Sequence, residues 1–321
     1  MRRSALLLAL LTGCFVRAAS PDQRLPPLQH DASEVPPDPS PGCAHPTGTP
    51  SGWLSMWSGD HDRNYLLRVP EGVARGRPMP LVLNFHGWLE SARTQEQYTF
   101  MTEAAGKRGM VVVYPQGIGW SWNAGNCCAR AQQENIDDVA FVRELVDRLE
   151  HQLCIDRRRV YATGMSNGGF FSYRLACDMS ETFAAIAPVA GGEVAEVCKP
   201  KRPVSVLSFH GQLDTVVWFN GGWPPGVPSA NEDVDRWSRR DACNPPTKAF
   251  YEMGEVSCRA SDGCPAGTDV VLCTVGMGGH TWPGGAIDPG LGHTTGDVNA
   301  TESMLDFFLA HPMREQPGQS K

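Results

Sequence analysis

The sequence lacks several features that would indicate particular classes of protein. It has no basic excess, since 28 Lys and Arg stand against 35 Asp and Glu, and the net charge of -7 argues against nucleic-acid binding. It has no internal repeat and no apolar run long enough for an integral membrane span. Its cysteines lack the spacing of a tetrahedral zinc site, so no metal site is expected. What is present is a chain of 321 residues, 41% of them hydrophobic, which suffices for one large domain with a continuous core.

The amino-terminal residues are typical of an export signal. Met1-Arg2-Arg3 supplies positive charge, and residues 5–11 supply an apolar segment that is too short to span a membrane. Leu11-Thr12-Gly13-Cys14 resembles a bacterial lipobox, which would make Cys14 a lipid anchor, whereas Val16-Arg17-Ala18 offers an ordinary cleavage site. We expect residues 1–18 to direct a secreted or extracytoplasmic protein and leave both processing routes open.

The composition divides the rest of the chain into three parts. Residues 19–45 are rich in proline and lack apolar periodicity, which predicts a disordered tether. Residues 46–312 are predicted to form the catalytic domain, and residues 313–321 a flexible tail. A monomer is expected.

Eleven cysteines are many for a cytosolic enzyme. Without Cys14 ten remain, an even number that suits disulfides in an oxidising compartment. Sequence does not give the pairing, but the adjacent Cys127 and Cys128 are more typical of two separate bridges. Four late cysteines are expected to staple the loops around the candidate acid and base: Cys243, Cys258, Cys264 and Cys273.

The run Gly164-Met165-Ser166-Asn167-Gly168 places a G-x-S-x-G motif between a predicted strand and a predicted helix. Residues 160–162 favour a short buried strand, and residues 170–180 continue as a helix. Glycines on both sides of the serine allow a sharp turn, which would project the Ser166 hydroxyl from the carboxyl end of the strand. This context predicts a nucleophile.

A serine nucleophile needs a histidine base and a carboxylate that orients the base. Asp214 follows a predicted buried strand, and His280 lies on a glycine-rich loop after a later strand. The order Ser, Asp, His is that of α/β-hydrolases. Asp288 and Asp297 are alternative acids and His293 is an alternative base, whereas His86 and His210 are interpreted as scaffold residues.

Two backbone N–H groups are expected to stabilise the oxyanion. His86-Gly87-Trp88 follows a predicted strand, at the place where the α/β-hydrolase fold carries its first oxyanion-donor loop. We therefore assign the two donors to the backbone N–H groups of Trp88 and Asn167. Asp137 and Asp138 stand at the start of a predicted helix, where capping and complementarity to the helix dipole are the expected roles.

Six ordered motifs carry a resemblance to a known family: His86-Gly87, Trp122 to Cys128, Ile136 to Phe141, Gly164 to Gly169, His210 to Asp214 and Gly279 to Gly284. Together they resemble secreted polyhydroxybutyrate depolymerase-like and feruloyl esterase-like hydrolases, a group similar to carbohydrate esterase family 1. The resemblance covers roughly residues 46–312. It implies an α/β-hydrolase fold, with a mostly parallel central sheet and helices on both faces. It also implies a Ser-His-Asp mechanism on ester substrates, without metal or cofactor.

The resemblance leaves the ester open. Feruloyl esters and short-chain polyhydroxyalkanoates such as polyhydroxybutyrate are close rivals, and acetylxylan or another polyester follows. From another class, a catalytically silent carbohydrate-binding homologue is the alternative. Six tryptophans fall in or beside loops at predicted strand ends, where they would hold an aromatic or polymeric substrate. Trp88 and Trp282 are the first candidates for substrate contact, with Trp122 and Trp218 next, then Trp120 and Trp223.

Overall fold

The structure is a computed structural model that describes residues 23–28, 35–44, 50–73, 76–224, 226–286 and 290–314. Ten strands within these ranges form a single sheet. They are β1 (Gly52–Ser58), β2 (His61–Arg68), β3 (Met79–Phe85), β4 (Val111–Pro115), β5 (Ile155–Met165), β6 (Ala185–Val189), β7 (Ser205–Gly211), β8 (Asn244–Met253), β9 (Val256–Asp262) and β10 (Val270–Val275).

The middle of the sheet is parallel and its two edges are antiparallel. The strand order is β1-β2-β4-β3-β5-β6-β7-β10-β9-β8, in which β4, β3, β5, β6, β7 and β10 run in parallel. β4, β6, β7 and β10 are buried along their whole length. Strands buried on both faces of a parallel sheet are expected to be continuous apolar runs, which is how the sequence predicted most of them.

Seven α-helices lie in the described ranges: α1 (Ala92–Thr99), α2 (Met101–Gly106), α3 (Ala129–Gln133), α4 (Asp138–Gln152), α5 (Asn167–Asp178), α6 (Ala230–Arg240) and α7 (Ala300–Ala310). The apolar residues of α4, α5 and α6 pack in one core cluster, and those of α1, α2 and α7 pack in a second. Leu81 and Leu83 belong to the first cluster and the intervening Val82 to the second. Because successive strand residues point to opposite faces, helices cover both faces of the sheet, as predicted.

None of the helices in the described part of the chain is long and apolar enough to cross a membrane.

The two acidic residues at the start of α4, which were both expected to cap it, make different contacts. Asp137 is the N-cap, because its side chain accepts a hydrogen bond from the backbone N–H of Ala140 at 2.9 Å. Asp138 is instead fully buried and pairs with Arg63 at 2.6 Å. The capping interpretation therefore fits Asp137. Asp138 forms no cap, but it lies in the first turn of α4, where a carboxylate complements the helix dipole.

The tether predicted for residues 19–45 is wrong where the structure describes it. In residues 23–28, the backbone N–H of Leu25 donates to Ser303 Oγ on α7 at 3.1 Å, and Leu25 and Leu28 pack against the second core cluster. Proline-rich composition removes helical periodicity but does not prevent an extended segment from docking.

Residues 35–44 also lie against the domain. Ser40 Oγ donates to the carbonyl of Leu153 at 2.9 Å, and Cys43 forms a disulfide with Cys154. The export signal at residues 1–18, including Cys14, lies outside the described residues, as does most of the predicted tail.

Five disulfides join the ten cysteines of the described chain: Cys43–Cys154, Cys127–Cys128, Cys177–Cys198, Cys243–Cys264 and Cys258–Cys273. The four late cysteines pair among themselves, and Cys258 and Cys273 join the adjacent strands β9 and β10. Separate bridges for the adjacent cysteines were the wrong expectation, because Cys127 and Cys128 are joined to each other.

Candidate active site

Ser166 occupies a sharp turn between β5 and α5. Its backbone has φ 55° and ψ -121°, a conformation that L-residues rarely adopt. The two flanking glycines are required by close packing, since a Cβ on Gly164 or Gly168 would overlap the carbonyl oxygen of Phe85 at the end of β3. The turn therefore holds Ser166 beyond the carboxyl end of β5, as the motif predicted.

The candidate acid and base are hydrogen bonded to each other. Asp214 Oδ2 accepts from His280 Nδ1 at 2.7 Å, and both side chains are buried. Asp214 Oδ1 accepts from the backbone N–H groups of Val216 and Val217, each at 2.8 Å. Because a carboxylate only accepts hydrogen bonds, the proton of the neutral imidazole lies on Nδ1, and Nε2 keeps the lone pair that a general base needs.

Packing between the loops after β7 and β10 brings these two residues together. The backbone N–H of Leu213 donates to the carbonyl of Gly278 at 2.9 Å. A Cβ on Gly211 would overlap the carbonyl oxygens of Gly278 and Gly279, so glycine allows this approach. Within the described residues, neither the Ser166 hydroxyl nor His280 Nε2 makes a hydrogen bond. The bond between nucleophile and base often tightens only with substrate bound.

The alternative acid and base lie in other surroundings. His293 has a half-exposed side chain whose Nε2 contacts Glu255 Oε1 at 2.6 Å. Asp297 Oδ2 accepts the backbone N–H of Glu255 at 3.0 Å. Asp288 lies outside the described residues.

Two buried histidines support the loops of the site. Burial lowers the pKa of His86 to about 4, so this residue is neutral at pH 7. Its Nδ1 donates to the carbonyl of Gly87 at 2.7 Å, and its Nε2 accepts from the backbone N–H of Gly117 at 3.0 Å. Burial also lowers the pKa of His210, whose Nε2 donates to the carbonyl of Val217 at 2.9 Å.

The backbone N–H groups of Trp88 and Asn167 are available as donors. Neither donates to another residue of the described chain. Asn167 is the first residue of α5, where the helix leaves its N–H groups without internal partners. The loop that carries Trp88 lies beside the nucleophile, since a Cβ built on Gly87 would be 3.5 Å from Ser166 Cβ.

The tryptophans predicted to bind substrate fall into two groups. Trp122 and Trp282 are 0% exposed, so the prediction that they contact substrate is wrong. The Trp282 indole donates to Thr301 Oγ1 at 2.9 Å and belongs to the second core cluster. Trp88 and Trp218 are 55% and 50% exposed, respectively, and remain available.

One arrangement beside Ser166 has no signal in the sequence. The side chain of Asn167 binds both backbone groups of Trp122, with Asn167 Oδ1 accepting from Trp122 N at 2.7 Å and Asn167 Nδ2 donating to Trp122 O at 2.9 Å. The sequence places Trp122 in a polar loop, which does not distinguish a ring facing solvent from a ring facing the core.

Among the described residues, no group of three or more His, Cys, Asp or Glu side chains is arranged to hold a metal ion.

The doubly covered parallel sheet, the serine in its sharp turn and the Asp–His pair on later loops define a serine hydrolase of the α/β-hydrolase fold. Residues 63–219 match the family model described as Esterase PHB depolymerase. Over 284 residues the chain is 31% identical to the putative esterase NocK of Nocardia uniformis subsp. tsuyamanensis, covering 77% of this chain and 79% of that protein. The chain belongs to this esterase family, which confirms the resemblance and the expected class, a serine carboxylic ester hydrolase.

Two further relatives extend the comparison. Feruloyl esterase B of Piromyces equi is 31% identical over 234 residues, which cover 68% of this chain but only 42% of that protein. The solved acetyl xylan esterase from Aspergillus awamori aligns with a TM-score of 0.50 at 13% identity, over 72% of this chain and 94% of that chain. The second likeness is one of fold and confirms the predicted fold class.

Proposed function

We propose that the protein hydrolyses carboxylic esters through an acyl-enzyme in which Ser166 is the nucleophile, His280 the general base and Asp214 the acid that orients it. The hydrogen bond of 2.7 Å between Asp214 Oδ2 and His280 Nδ1 carries this proposal, because it joins two loops in the geometry that a catalytic histidine requires.

In the first step the Ser166 oxygen attacks the ester carbonyl carbon while His280 Nε2 takes the hydroxyl proton. The carbonyl oxygen becomes an oxyanion, which the backbone N–H groups of Trp88 and Asn167 stabilise. As the tetrahedral intermediate collapses, the bond to the alcohol breaks and His280 returns its proton to the departing oxygen. Water then attacks the acyl-enzyme with His280 again as base, which releases the acid and restores Ser166.

The surroundings of Asp214 favour the charged histidine that each step forms. Within the described residues, its carboxylate accepts two hydrogen bonds from the backbone and one from His280. A carboxylate oriented in this way stabilises the imidazolium.

Exposed apolar side chains lie on both sides of Ser166 along the carboxyl edge of the sheet. One set follows β3 and β4, and the other follows β7 and β10, whereas Ser166 follows the intervening β5. The sets are Trp88, Leu89 and Trp120 on one side, and Leu213, Val216, Trp218, Trp223 and Met277 on the other. We infer that these side chains contact the substrate, since exposed apolar surface is typical of a binding region.

This distribution supports an ester whose acyl and alcohol parts both extend along the surface. A feruloyl ester of a polymer and a short-chain polyhydroxyalkanoate both fit, and both kinds of esterase occur among the names of the matched family and relatives. Acetylxylan is the alternative, because an acetyl group would use apolar contact on one side only.

We further propose that the protein acts outside the cytoplasm. Five disulfides within the described residues are consistent with folding in an oxidising compartment.

Ser166→Ala tests the mechanism. We expect a loss of turnover on p-nitrophenyl acetate of about 10³-fold or more with the fold intact, since the triad acts as a unit. Ser55→Ala removes an exposed serine of β1 and should be unaffected. A Ser166→Ala enzyme that keeps a tenth of its turnover would overturn the assignment, and an inactive wild type would favour the silent homologue.

His280→Ala and His293→Ala test the base as a pair. The first should be nearly inactive, and the second nearly normal because its ring contacts Glu255 at the surface. The reverse result would move the role of base to His293.

Methyl ferulate and 3-hydroxybutyrate oligomers assayed side by side then select the substrate class.

A further inference from the structure

Trp122 contacts both segments that carry the proposed oxyanion donors. Its indole Nε1 donates to the carbonyl of His86 at 3.1 Å, two residues before Trp88. Its backbone N–H and C=O bind the side chain of Asn167 at 2.7 and 2.9 Å, on the residue that follows Ser166. One fully buried residue therefore connects the loop after β3 to the beginning of α5.

Ring packing reinforces these hydrogen bonds. The Trp122 ring stacks on Phe171 of α5, with centroids 5.3 Å apart and planes at 11°. It meets Phe85, the last residue of β3, edge to face at 5.2 Å and 81°. A displacement of the indole would disturb both elements, because close-packed interiors transmit strain.

Hydrogen bonds also hold the backbone of Trp122 and of its neighbour Asn123. The neighbouring N–H of Asn123 donates to Asp138 Oδ2 at 2.8 Å, and Asp138 pairs with Arg63 at 2.6 Å. Both charged side chains are at most 1% exposed. On the other side, the backbone N–H of Cys128 donates to the carbonyl of Trp122 at 3.2 Å.

We propose that Trp122 is a positioning residue, which sets the separation between the N–H groups of Trp88 and Asn167. The inference rests on the proposed ester hydrolysis and its two backbone donors. Donors stabilise an oxyanion most when they are held in place before the charge forms. Trp122 therefore contributes to turnover without touching the substrate.

Trp122→Phe is the direct test, because it keeps an aromatic ring in the core and removes the N–H that holds the His86 carbonyl. We expect kcat on p-nitrophenyl acetate to fall about 10- to 30-fold, less than for complete removal of an oxyanion donor, with KM within about two-fold. Affinity for a trifluoromethyl ketone, which binds serine as a tetrahedral oxyanion adduct, should fall by about the same factor as kcat.

Trp237→Phe is the matched control. Trp237 is also 0% exposed, and its indole Nε1 donates to the carbonyl of Val204 at 2.8 Å. Its ring packs on Tyr173 of α5, but within the described residues its indole makes no hydrogen bond to the loop after β3 or to Asn167. The control should lower the melting temperature by a similar amount while kcat and ketone affinity stay within about two-fold. Equal kinetic losses in the two variants, or no loss in either, would overturn the proposal.

Asn167→Asp keeps the test decisive if Trp122→Phe does not fold. It retains the side-chain shape but places a second acceptor oxygen against the Trp122 carbonyl, where an N–H now donates at 2.9 Å. We expect about a 10-fold or greater loss of kcat, again with a parallel loss of ketone affinity. Unchanged values would overturn the inference, whereas an active Ser166→Ala enzyme would overturn the proposed function itself.

Discussion

At the scale of single residues, hydrogen bonds hold both carboxylate oxygens of Asp214. Its Oδ1 accepts two backbone N–H groups, and its Oδ2 accepts from His280. An asparagine would keep its oxygen on the backbone donors and turn its NH₂ toward His280 Nδ1. The imidazole would then adopt the other tautomer, which leaves no lone pair on Nε2.

We therefore expect Asp214→Asn to lower kcat on p-nitrophenyl acetate by about 10³- to 10⁴-fold, with little change in melting temperature. Asp297→Asn is the control, since Asp297 accepts the backbone N–H of Glu255. Activity that depended on Asp297 and not on Asp214 would contradict the assignment of the acid.

The buried His86 predicts a dependence of stability on pH. Its pKa is lowered from 6.5 to about 4 by burial, so between these values the unfolded chain binds a proton that the folded protein does not. The stability that this group contributes is present above pH 6.5 and is lost as the pH falls, by about 3 kcal/mol between pH 7 and pH 4.

Urea unfolding of wild type and His86→Asn across this range measures that contribution. The difference between the two proteins should shrink by about 3 kcal/mol on acidification. Only the difference between the two proteins is informative, because Asp241 adds its own pH dependence to both. Burial raises the pKa of Asp241 to about 7, so the stability that this group contributes is lost as the pH rises, in the opposite direction to that of His86. A difference that does not vary with pH would show that His86 does not titrate as described.

At the scale of elements, the strands and the order of the site residues could be predicted from the sequence. β3, β5, β7 and β10 contain runs of buried apolar residues, each followed by a polar or glycine-rich loop, and this pattern needs no knowledge of neighbours. The direction of the tryptophan rings could not be predicted. An indole fits a core and a surface equally well, so tertiary contacts decide whether the ring is buried or exposed. The rings of Trp122 and Trp282 are buried in the core.

The close packing of the turn between β5 and α5 predicts how a substitution there changes stability. A Cβ on Gly168 would overlap the backbone carbonyls of Phe85 and His86, which cannot move without shifting β3. Gly168→Ala should therefore destabilise the protein by about 2 kcal/mol or more. Gly106→Ala is the control, because a Cβ there meets nothing within 4 Å and the substitution should change stability by less than about 1 kcal/mol. Similar melting temperatures for the two variants would contradict this description of the turn.

The exposed tryptophans in the loops at the carboxyl edge of the sheet lead to a prediction about substrate binding. Trp218 is half exposed, with its ring 6.4 Å from that of Trp223. Trp218→Ala should lower kcat/KM about 10-fold for whichever long ester the enzyme cleaves, and less for p-nitrophenyl acetate, because the small ester cannot use that surface.

Trp53→Ala is the control for this loop. Trp53 is similarly exposed on β1, at the end of the sheet and separated from β5 by three strands. Equal losses for the long and the short ester in Trp218→Ala would show that Trp218 supports its loop and does not bind substrate.

At the scale of the whole molecule, long-range links join the early residues to the domain, and these links were the hardest to predict. The pairing of Cys43 with Cys154 closes a sequence separation of 111 residues, which no local pattern could indicate. Arg157 Nη2 also contacts Asp38 Oδ1 at 2.8 Å. Single contacts of this kind leave no periodicity, so composition alone suggested a tether.

The length of that loop predicts how much the disulfide stabilises the protein. Closing 111 residues restricts the unfolded chain by about 5 kcal/mol in the chain-entropy description, against about 3 kcal/mol for the 21-residue separation of Cys243 and Cys264. Each pair has one buried and one partly buried cysteine, so alanine substitution perturbs the two sites similarly. The double variant Cys43→Ala with Cys154→Ala should therefore lose more stability in urea unfolding than Cys243→Ala with Cys264→Ala, by about 1 to 2 kcal/mol. Intact mass before and after reduction confirms which bonds remain in each protein. A smaller loss for the longer loop would show that residues 35–44 stay docked without the bond, through hydrogen bonds such as those of Ser40 and Asp38.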